Sequence, residues 1–331
     1  MASIKIYNFK KRNMQTYCTI INKSYLAFAY VLYQSLINHE PESHLQVLLI
    51  DDTMTIIPEE FAHGPEYHNI NSLMQEPMTG KIKDKYAATN QNVFRWALKP
   101  VFMCYLLKKG FQKVIFTDPD MFFTGKHCFL FEELNEHAIM LSPHWGNVNP
   151  LRDEDGLFSV LRNGLYSAGF IAANQKGIST LEWWAEVCHF KMEKRQDLGL
   201  YDDQKYLNIV PLLEPTTVIL RHPGCNLASI NIETFKREIV ETRLRINGKY
   251  EPVFIHFTRD TITNILNRND TLLKPFLEEY ASSLAKFGIE LYKISGNSDF
   301  LKYDKILYKF KHRLLLRTRM KRFLYFLAEK L

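Results

Sequence analysis

The chain has 331 residues, 46% of them hydrophobic and 13% aromatic, with only 14 glycines and 13 prolines, which excludes a low-complexity or disordered polymer and leaves room for a large core. Its net charge of +6 is local: residues 299–331 hold ten basic side chains against three acidic ones, a balance of +7 that leaves about −1 for residues 1–298. That distribution excludes a nucleic-acid-binding body.

The first 17 residues alternate apolar positions with Lys5, Lys10, Lys11 and Arg12 and lack the apolar run of roughly 7 to 15 residues that a signal peptide requires. No stretch approaches the roughly 18 to 20 apolar residues of a spanning helix, so a cytosolic chain is expected. Cysteines 18, 104, 128, 188 and 225 are scattered and contain no CxxC pair, which predicts buried free thiols rather than a disulfide framework or a zinc site.

Residues 17–22 (YCTIIN) read as a strand that ends at helix-starting Asn22 and Ser24, and residues 25–38 as the helix. A second apolar strand, 44–50, follows, and such a βαβ opening with unbroken apolar strands predicts a parallel sheet covered on both faces. Residues 63–92 are polar and irregular and predict a loop over the sheet. The pattern then predicts one helix over 93–109 with Gly110 just past its end, and a strand over 113–117 (KVIFT) that delivers Asp118, Pro119 and Asp120 at its carboxyl end. Ligands of open α/β sheets bind at that end. Further strands are predicted at 138–141, 170–173, 217–220 and 253–257, and helices near 177–194, 202–210 and 272–288.

Two carboxylates one residue apart at a strand end, separated by a proline that fixes φ, can hold one divalent cation. Such a cation neutralises a diphosphate and the charge that develops when a sugar–phosphate bond breaks. An isolated Asp-x-Asp is more often a solvated turn; here the apolar flanks, KVIFT before and Met121 to Phe123 after, favour a sheltered site.

With these segments in order over about residues 17–260, the sequence resembles the retaining GT-A glycosyltransferases of the lipopolysaccharide galactosyltransferase and glycogenin type, or the related nucleotide-diphospho-sugar transferases. The resemblance implies a Rossmann-like, mixed but mostly parallel sheet covered by helices, a Mn²⁺ or Mg²⁺ cofactor and a nucleotide-sugar donor, most simply a UDP-sugar. It places Thr19, Ile21, Asn22 and Tyr25 against the nucleotide. It offers Arg95 and Lys99 in FRWALKP as the basic group ahead of the metal motif. Ser167, Ala168 and Gly169 match the strand that lines the donor sugar, with Ser167 where the family usually has Asn. Asp203 and Gln204 in YDDQKYLN match the pair near the reacting carbon, Asn226 in HPGCNLA matches an acceptor-side position, and His256 in FIHFTRD matches the imidazole that completes the metal site with Asp118 and Asp120. The family follows that histidine with Gly and a phosphate-touching Lys; here Thr258 and Arg259 stand instead, and Arg259 offers a guanidinium for phosphate.

Blander readings accompany several of these. His256 lies in an apolar strand and reads equally as a hydrogen-bonded core residue, and Asp203 or, better, Asp202 reads as a helix cap. Trp183 and Trp184 read as helix packing rather than a sugar platform, while His144 and Trp145 in SPHWGN follow a strand in a loop and read more readily as ordinary loop residues than as acceptor contacts. The domain reading is a catalytic domain over 1–260 and a helical portion over 261–331. Within the latter, residues 302–327 interleave apolar and basic side chains, the pattern of a helix lying on an anionic membrane, which makes a glycan or lipid-linked glycan the natural acceptor and the cytoplasmic membrane face the expected location. Two alternatives stand beside this one: a phosphohydrolase of the haloacid-dehalogenase type, and an inactive GT-A module that serves as a binding subunit.

Overall fold

A computed structural model describes residues 15–51, 57–151 and 153–291. The chain divides into two compact units, residues 1–280 and 281–331; the basic tail lies outside the described residues, and so does most of the N-terminal segment. Among the described residues no helix is long and apolar enough to cross a membrane.

The first unit is built on a seven-stranded sheet with the order β3-β2-β1-β4-β7-β6-β8. Its strands are β1 (Gln15–Ile21), β2 (Leu45–Leu49), β3 (Glu66–Asn69), β4 (Lys113–Thr117), β6 (Ile139–Pro143), β7 (Tyr166–Asn174) and β8 (Val218–Ile219). Strands β3, β2, β1 and β4 run parallel, β7 enters antiparallel between β4 and β6, and β8 lies parallel to β6. The expected mixed, mostly parallel α/β sheet is therefore present. A short strand, β5 (Met121–Phe123), pairs antiparallel with β11 (Phe254–His256), and β9 (Arg237–Val240) with β10 (Arg243–Ile246).

Successive side chains of a strand point to opposite faces, and β1 is buried on both. Cys18 and Ile20 join a core with Phe102, Phe116, Ile171 and Trp184, roofed by helices Lys99–Lys108 and Ile178–Phe190. Tyr17 points the other way into an aromatic cluster with Phe123, His127 and Phe131 at centroid distances of 5.0 to 5.4 Å.

Several elements differ from the sequence expectation. The 63–92 loop contains β3 and helix Pro77–Tyr86, which buries Thr79, Ile82 and Tyr86 along one side. The polarity of Glu66–Asn69 disguised an edge strand. The Asn-Gln-Asn run holds a helix cap, since the Asn90 side chain accepts from Asn92 N and Val93 N, both at 3.1 Å. The single helix over 93–109 is two, Gln91–Ala97 and Lys99–Lys108, because Pro100 has no N–H to continue the first and suits the opening turn of the second. Gly110 follows at φ +110°, a conformation that favours glycine. Helix Glu154–Asn163 and the β9/β10 hairpin were not anticipated. Asp202 does not cap a helix: it sits at φ +45° in a turn, and Lys205–Ile209 is a short 3₁₀ segment. Cys18, Cys104, Cys188 and Cys225 are buried free thiols as expected, whereas Cys128 is exposed.

The aromatic cluster sets a pH dependence. His127 Nε2 lies 3.1 Å from Leu36 O, which only accepts, so Nε2 carries the proton and Nδ1 accepts from Tyr17 OH at 2.8 Å. Burial pushes the His127 pKa below its ordinary 6.5. The unfolded chain takes up that proton near pH 6.5 and the folded chain only at lower pH. Stability is thus complete above the unfolded value and falls as pH drops below it, by about 1.4 kcal/mol per pH unit for one such group. Urea midpoints at pH 7.5 and 5.5 should show this loss, and His127→Gln should flatten it; an unchanged slope in the variant rejects the assignment.

Candidate active site

The DPD element is a tight turn at the carboxyl end of β4. Asp118 N donates to Gly169 O at 2.8 Å and Met121 N to Asp118 O at 3.2 Å, so the chain reverses into β5. Strand β11 pairs with β5 in the register His256↔Met121, and Phe257 N donates to Asp120 O at 2.9 Å. This pairing carries an imidazole from far along the chain to the acidic turn. His256 Nε2 lies 3.1 Å from Asp120 Oδ1 and 4.0 Å from Asp118 Oδ2, and one ligand atom from each of the three falls within 4.8 Å of the others. Burial lowers the His256 pKa, but Asp120 and Asp118 outweigh it and hold the ring above its ordinary value; Asp120 is in turn drawn below the carboxylate range by that ring despite its own burial.

Two carboxylates and one imidazole suit a divalent ion such as Mn²⁺ or Mg²⁺. The neighbouring backbone leaves room for it: a Cβ at Gly169 would lie 2.7 Å from Asp118 Oδ2 and 2.9 Å from His256 Cε1. Only a residue without a side chain fits there.

Beneath this group lies Lys99, the first residue of helix Lys99–Lys108, with a side chain 4% exposed. Its Nζ stands 3.4 Å from Asp118 Oδ1, 3.1 Å from Asp203 Oδ2 and 2.9 Å from Ala168 O. Burial opposes its charge, yet the two carboxylates raise its pKa above the ordinary lysine value. Asp203 is pushed upward by burial, which Lys99 only partly offsets. The backbone of Asp203 is held by Trp184, whose Nε1 donates to Asp203 O at 3.0 Å. Gln204 is pinned at both ends of its amide: Oε1 accepts from Ala168 N at 3.3 Å and Nε2 donates to Asn163 O at 3.0 Å. Ser167 Oγ accepts from Gly169 N at 3.2 Å.

Most of these groups border one cavity of about 330 Å³, lined by Lys99, Asp118, His256, Ser167, Ala168, Gly169, Asp203, Gln204 and Asn226 among the residues singled out from sequence; Asp120 is not among its lining residues. A second cavity of about 240 Å³ opens beyond the ends of β1 and β2, where Asn22 faces Asp51, Lys83, Gln91 and Phe94. Thr19 and Ile21 are buried inside β1 and line neither cavity. Tyr25 and Arg95 also stay outside both, and the Arg95 guanidinium lies over the Tyr25 ring at 5.4 Å. Arg259 is exposed at the start of helix Arg259–Leu266, while its neighbours Thr258 and Asp260 line the larger cavity. His144 lines it too, with Nδ1 at 3.0 Å from Gly164 O, whereas Trp145 packs on Phe235 at 5.4 Å.

One wall was not foreseen. Lys194 reaches toward Tyr201 (5.1 Å), Trp96 (5.8 Å) and the carboxylate of Asp202 (3.4 Å), and all four residues line the larger cavity. No periodicity in the sequence joins residues from three separate segments. The positive φ of Asp202 is the physical trace of its placement, and the one-dimensional pattern does not show it.

With this geometry in view, two relatives from Bacillus subtilis (strain 168) match most of the chain. The uncharacterized protein YfnF is 26% identical over 255 residues, covering 75% of this chain and 82% of its own length, and the uncharacterized protein YfnD is 24% identical over 256 residues, covering 74% and 78%. The chain's structural neighbours are glycosyltransferases. The galactosyltransferase LgtC, solved with donor and acceptor sugar analogs, aligns with a TM-score of 0.48 at 15% identity, over 78% of this chain and 95% of that one. Mouse xyloside xylosyltransferase 1 aligns at 0.44 and 15%, over 75% and 98%, and GlyE of Streptococcus pneumoniae TIGR4 at 0.45 and 15%, over 82% and 62%. No protein-family model matches the chain.

Proposed function

We propose that the protein is a metal-dependent GT-A glycosyltransferase that moves a sugar from a nucleotide-sugar donor, a UDP-sugar, to a glycan or lipid-linked glycan acceptor with retention of anomeric configuration. The observation that carries this reading is the convergence of Asp118, Asp120 and His256 at the carboxyl end of β4, with Asp118 and His256 on the rim of a cavity floored by a buried lysine. A divalent ion held by the three residues would bind the donor diphosphate and accept the negative charge that grows on it as the sugar leaves.

The chain's own groups complete the chemistry. Lys99 neutralises Asp118 and Asp203 from below and fixes their positions. Asp203 and the doubly tethered Gln204 face the cavity beside Ser167–Gly169, the segment assigned to the donor sugar, so they flank the carbon whose bond to phosphate breaks. The electron pair of that bond departs with the nucleoside diphosphate, and an acceptor hydroxyl forms the new bond from the open side of the cavity as its proton passes to the departing diphosphate oxygen. In this reading the second cavity, at Asn22 and Asp51, takes the nucleoside. The reading extends to an anionic membrane surface through residues 299–331 on the strength of their sequence alone.

The test is turnover of a panel of sugar nucleotides with and without Mn²⁺. The wild-type protein should release nucleoside diphosphate only with the metal. Asp118→Ala and Asp120→Ala should each reduce this by at least about 10³-fold, as removal of charge stabilisation at a reacting bond does. Wild-type rates in either variant reject the metal assignment. Phosphate release from simple phosphoesters, without use of any sugar nucleotide, favours the phosphohydrolase alternative.

A further inference from the structure

The wall of the larger cavity formed by Asn226, Ala228, Ser229 and Ile230 has no regular secondary structure to hold it until the 3₁₀ turn Ser229–Asn231. Its backbone is unusual at Asn226, which sits at φ +55° and is only 4% exposed. Three bonds reach it from the catalytic side: Leu227 N donates to Phe254 O at 3.1 Å, His256 N donates to Leu227 O at 2.9 Å, and Ser229 N donates to Thr261 Oγ1 at 3.1 Å.

A further attachment comes from behind. Arg237, on the first strand of the β9/β10 hairpin, sends Nη2 to Ala228 O and to Asn231 Oδ1, each at 3.0 Å, while Nη1 donates to the Asp270 carboxylate. Asn231 relays the contact, because its Nδ2 donates to Asn226 O at 2.7 Å and its Oδ1 accepts from Ala228 N at 3.1 Å. Both side chains of the ion pair are 3% exposed. Burying two charges costs solvation that their attraction repays only with excellent geometry, and well-packed apolar residues of similar volume would often serve stability as well. What an apolar pair could not supply is a planar fork that fixes two carbonyl-type oxygens of one loop at once.

We infer that Arg237 and Asp270 are positioning residues, which hold the Asn226–Ile230 wall in the shape that receives the sugar end of the substrate. The inference rests on the transferase reading. The diphosphate end meets the side chains of Asp118, Asp120 and His256, none of which bonds to Arg237, Asn231 or Asp270; the wall meets that group through the backbone bond from His256 N to Leu227 O, so loss of the Arg237 network falls first on the sugar end.

Arg237→Lys keeps the charge and removes the fork, and Asp270→Asn keeps the shape and removes the countercharge. With UDP-glucose and UDP-galactose as probes, each variant should lose about tenfold or more in kcat/KM for sugar release while its affinity for UDP with Mn²⁺ changes less than about twofold, the pattern of an interaction confined to one part of the substrate. Asn226→Gly tolerates the positive φ but removes the side chain from the wall. If Arg237 acts through that wall, the Arg237→Lys/Asn226→Gly double variant should lose much less than the product of the single losses. Folded single variants with wild-type kcat and KM overturn the inference and leave the transferase reading intact. So does an equal fall in Mn²⁺–UDP affinity and turnover, which marks a general structural role. Failure of the wild-type protein to turn over any sugar nucleotide overturns both.

Discussion

Replacing Lys99 by methionine should lower stability by about 3–5 kcal/mol and abolish metal-dependent turnover, because it leaves two buried or half-buried carboxylates and the carbonyl of Ala168 without their shared partner. Methionine matches the lysine stem in length, so the loss reports the ammonium and not a cavity. Thermal or urea unfolding of the folded protein measures the first effect, and release of UDP from a sugar nucleotide the second. A Lys99→Met/Asp203→Asn double variant should recover part of the stability, since the deepest unpaired charge is then gone, but none of the activity. Stability within about 0.5 kcal/mol of wild type in the single variant would mean that the ammonium is not the counterion described here.

Gly169→Ala should have the opposite profile, with little change in melting and a loss of about 10²-fold in turnover. The added methyl would have to occupy space 2.7 Å from an Asp118 oxygen and 2.9 Å from the His256 ring. Both neighbours are side chains of the metal group, so they move rather than the backbone of β7, and displacements of about 1 Å at a reacting centre cost rates of that order. Isothermal titration with Mn²⁺ should show weakened binding in parallel. Retention of wild-type metal affinity and rate by the alanine variant would show that the three residues do not act together.

The strongest sequence signals were those in which burial alone dictates residue type. Strands β1, β2 and β4 are enclosed on both faces, so they read as unbroken apolar runs, and the KVIFT strand is found with the predicted bounds. The two acidic residues of the turn share a local spacing that any reader of the chain can see. Nothing local joins them to His256, 136 positions away from Asp120; only the order of separate segments, as a family resemblance, did so. Elements without a buried stripe were lost, such as the polar edge strand Glu66–Asn69 and helix Glu154–Asn163, which buries Val160 alone. The β9/β10 hairpin turns at Glu241 and Thr242 with φ of +47° and +72°, where Asn-Gly is the usual signal, so a pair of ordinary residues concealed it. Trp184 packs as its helical position predicts; its added task of holding the Asp203 carbonyl depends on an indole orientation that no sequence periodicity encodes.

The distance along the chain between Asp120 and His256 has a thermodynamic corollary. An ion gripping both ends of a 136-residue loop would act as a removable staple, present only when the middle and last thirds of the sheet unit are assembled together. Because the unfolded polypeptide offers no such grouping, each tenfold rise in free ion above its dissociation constant adds about 1.4 kcal/mol to the folded form by mass action. Supply of the metal would then govern the lifetime of the protein against proteolysis as well as its rate of turnover.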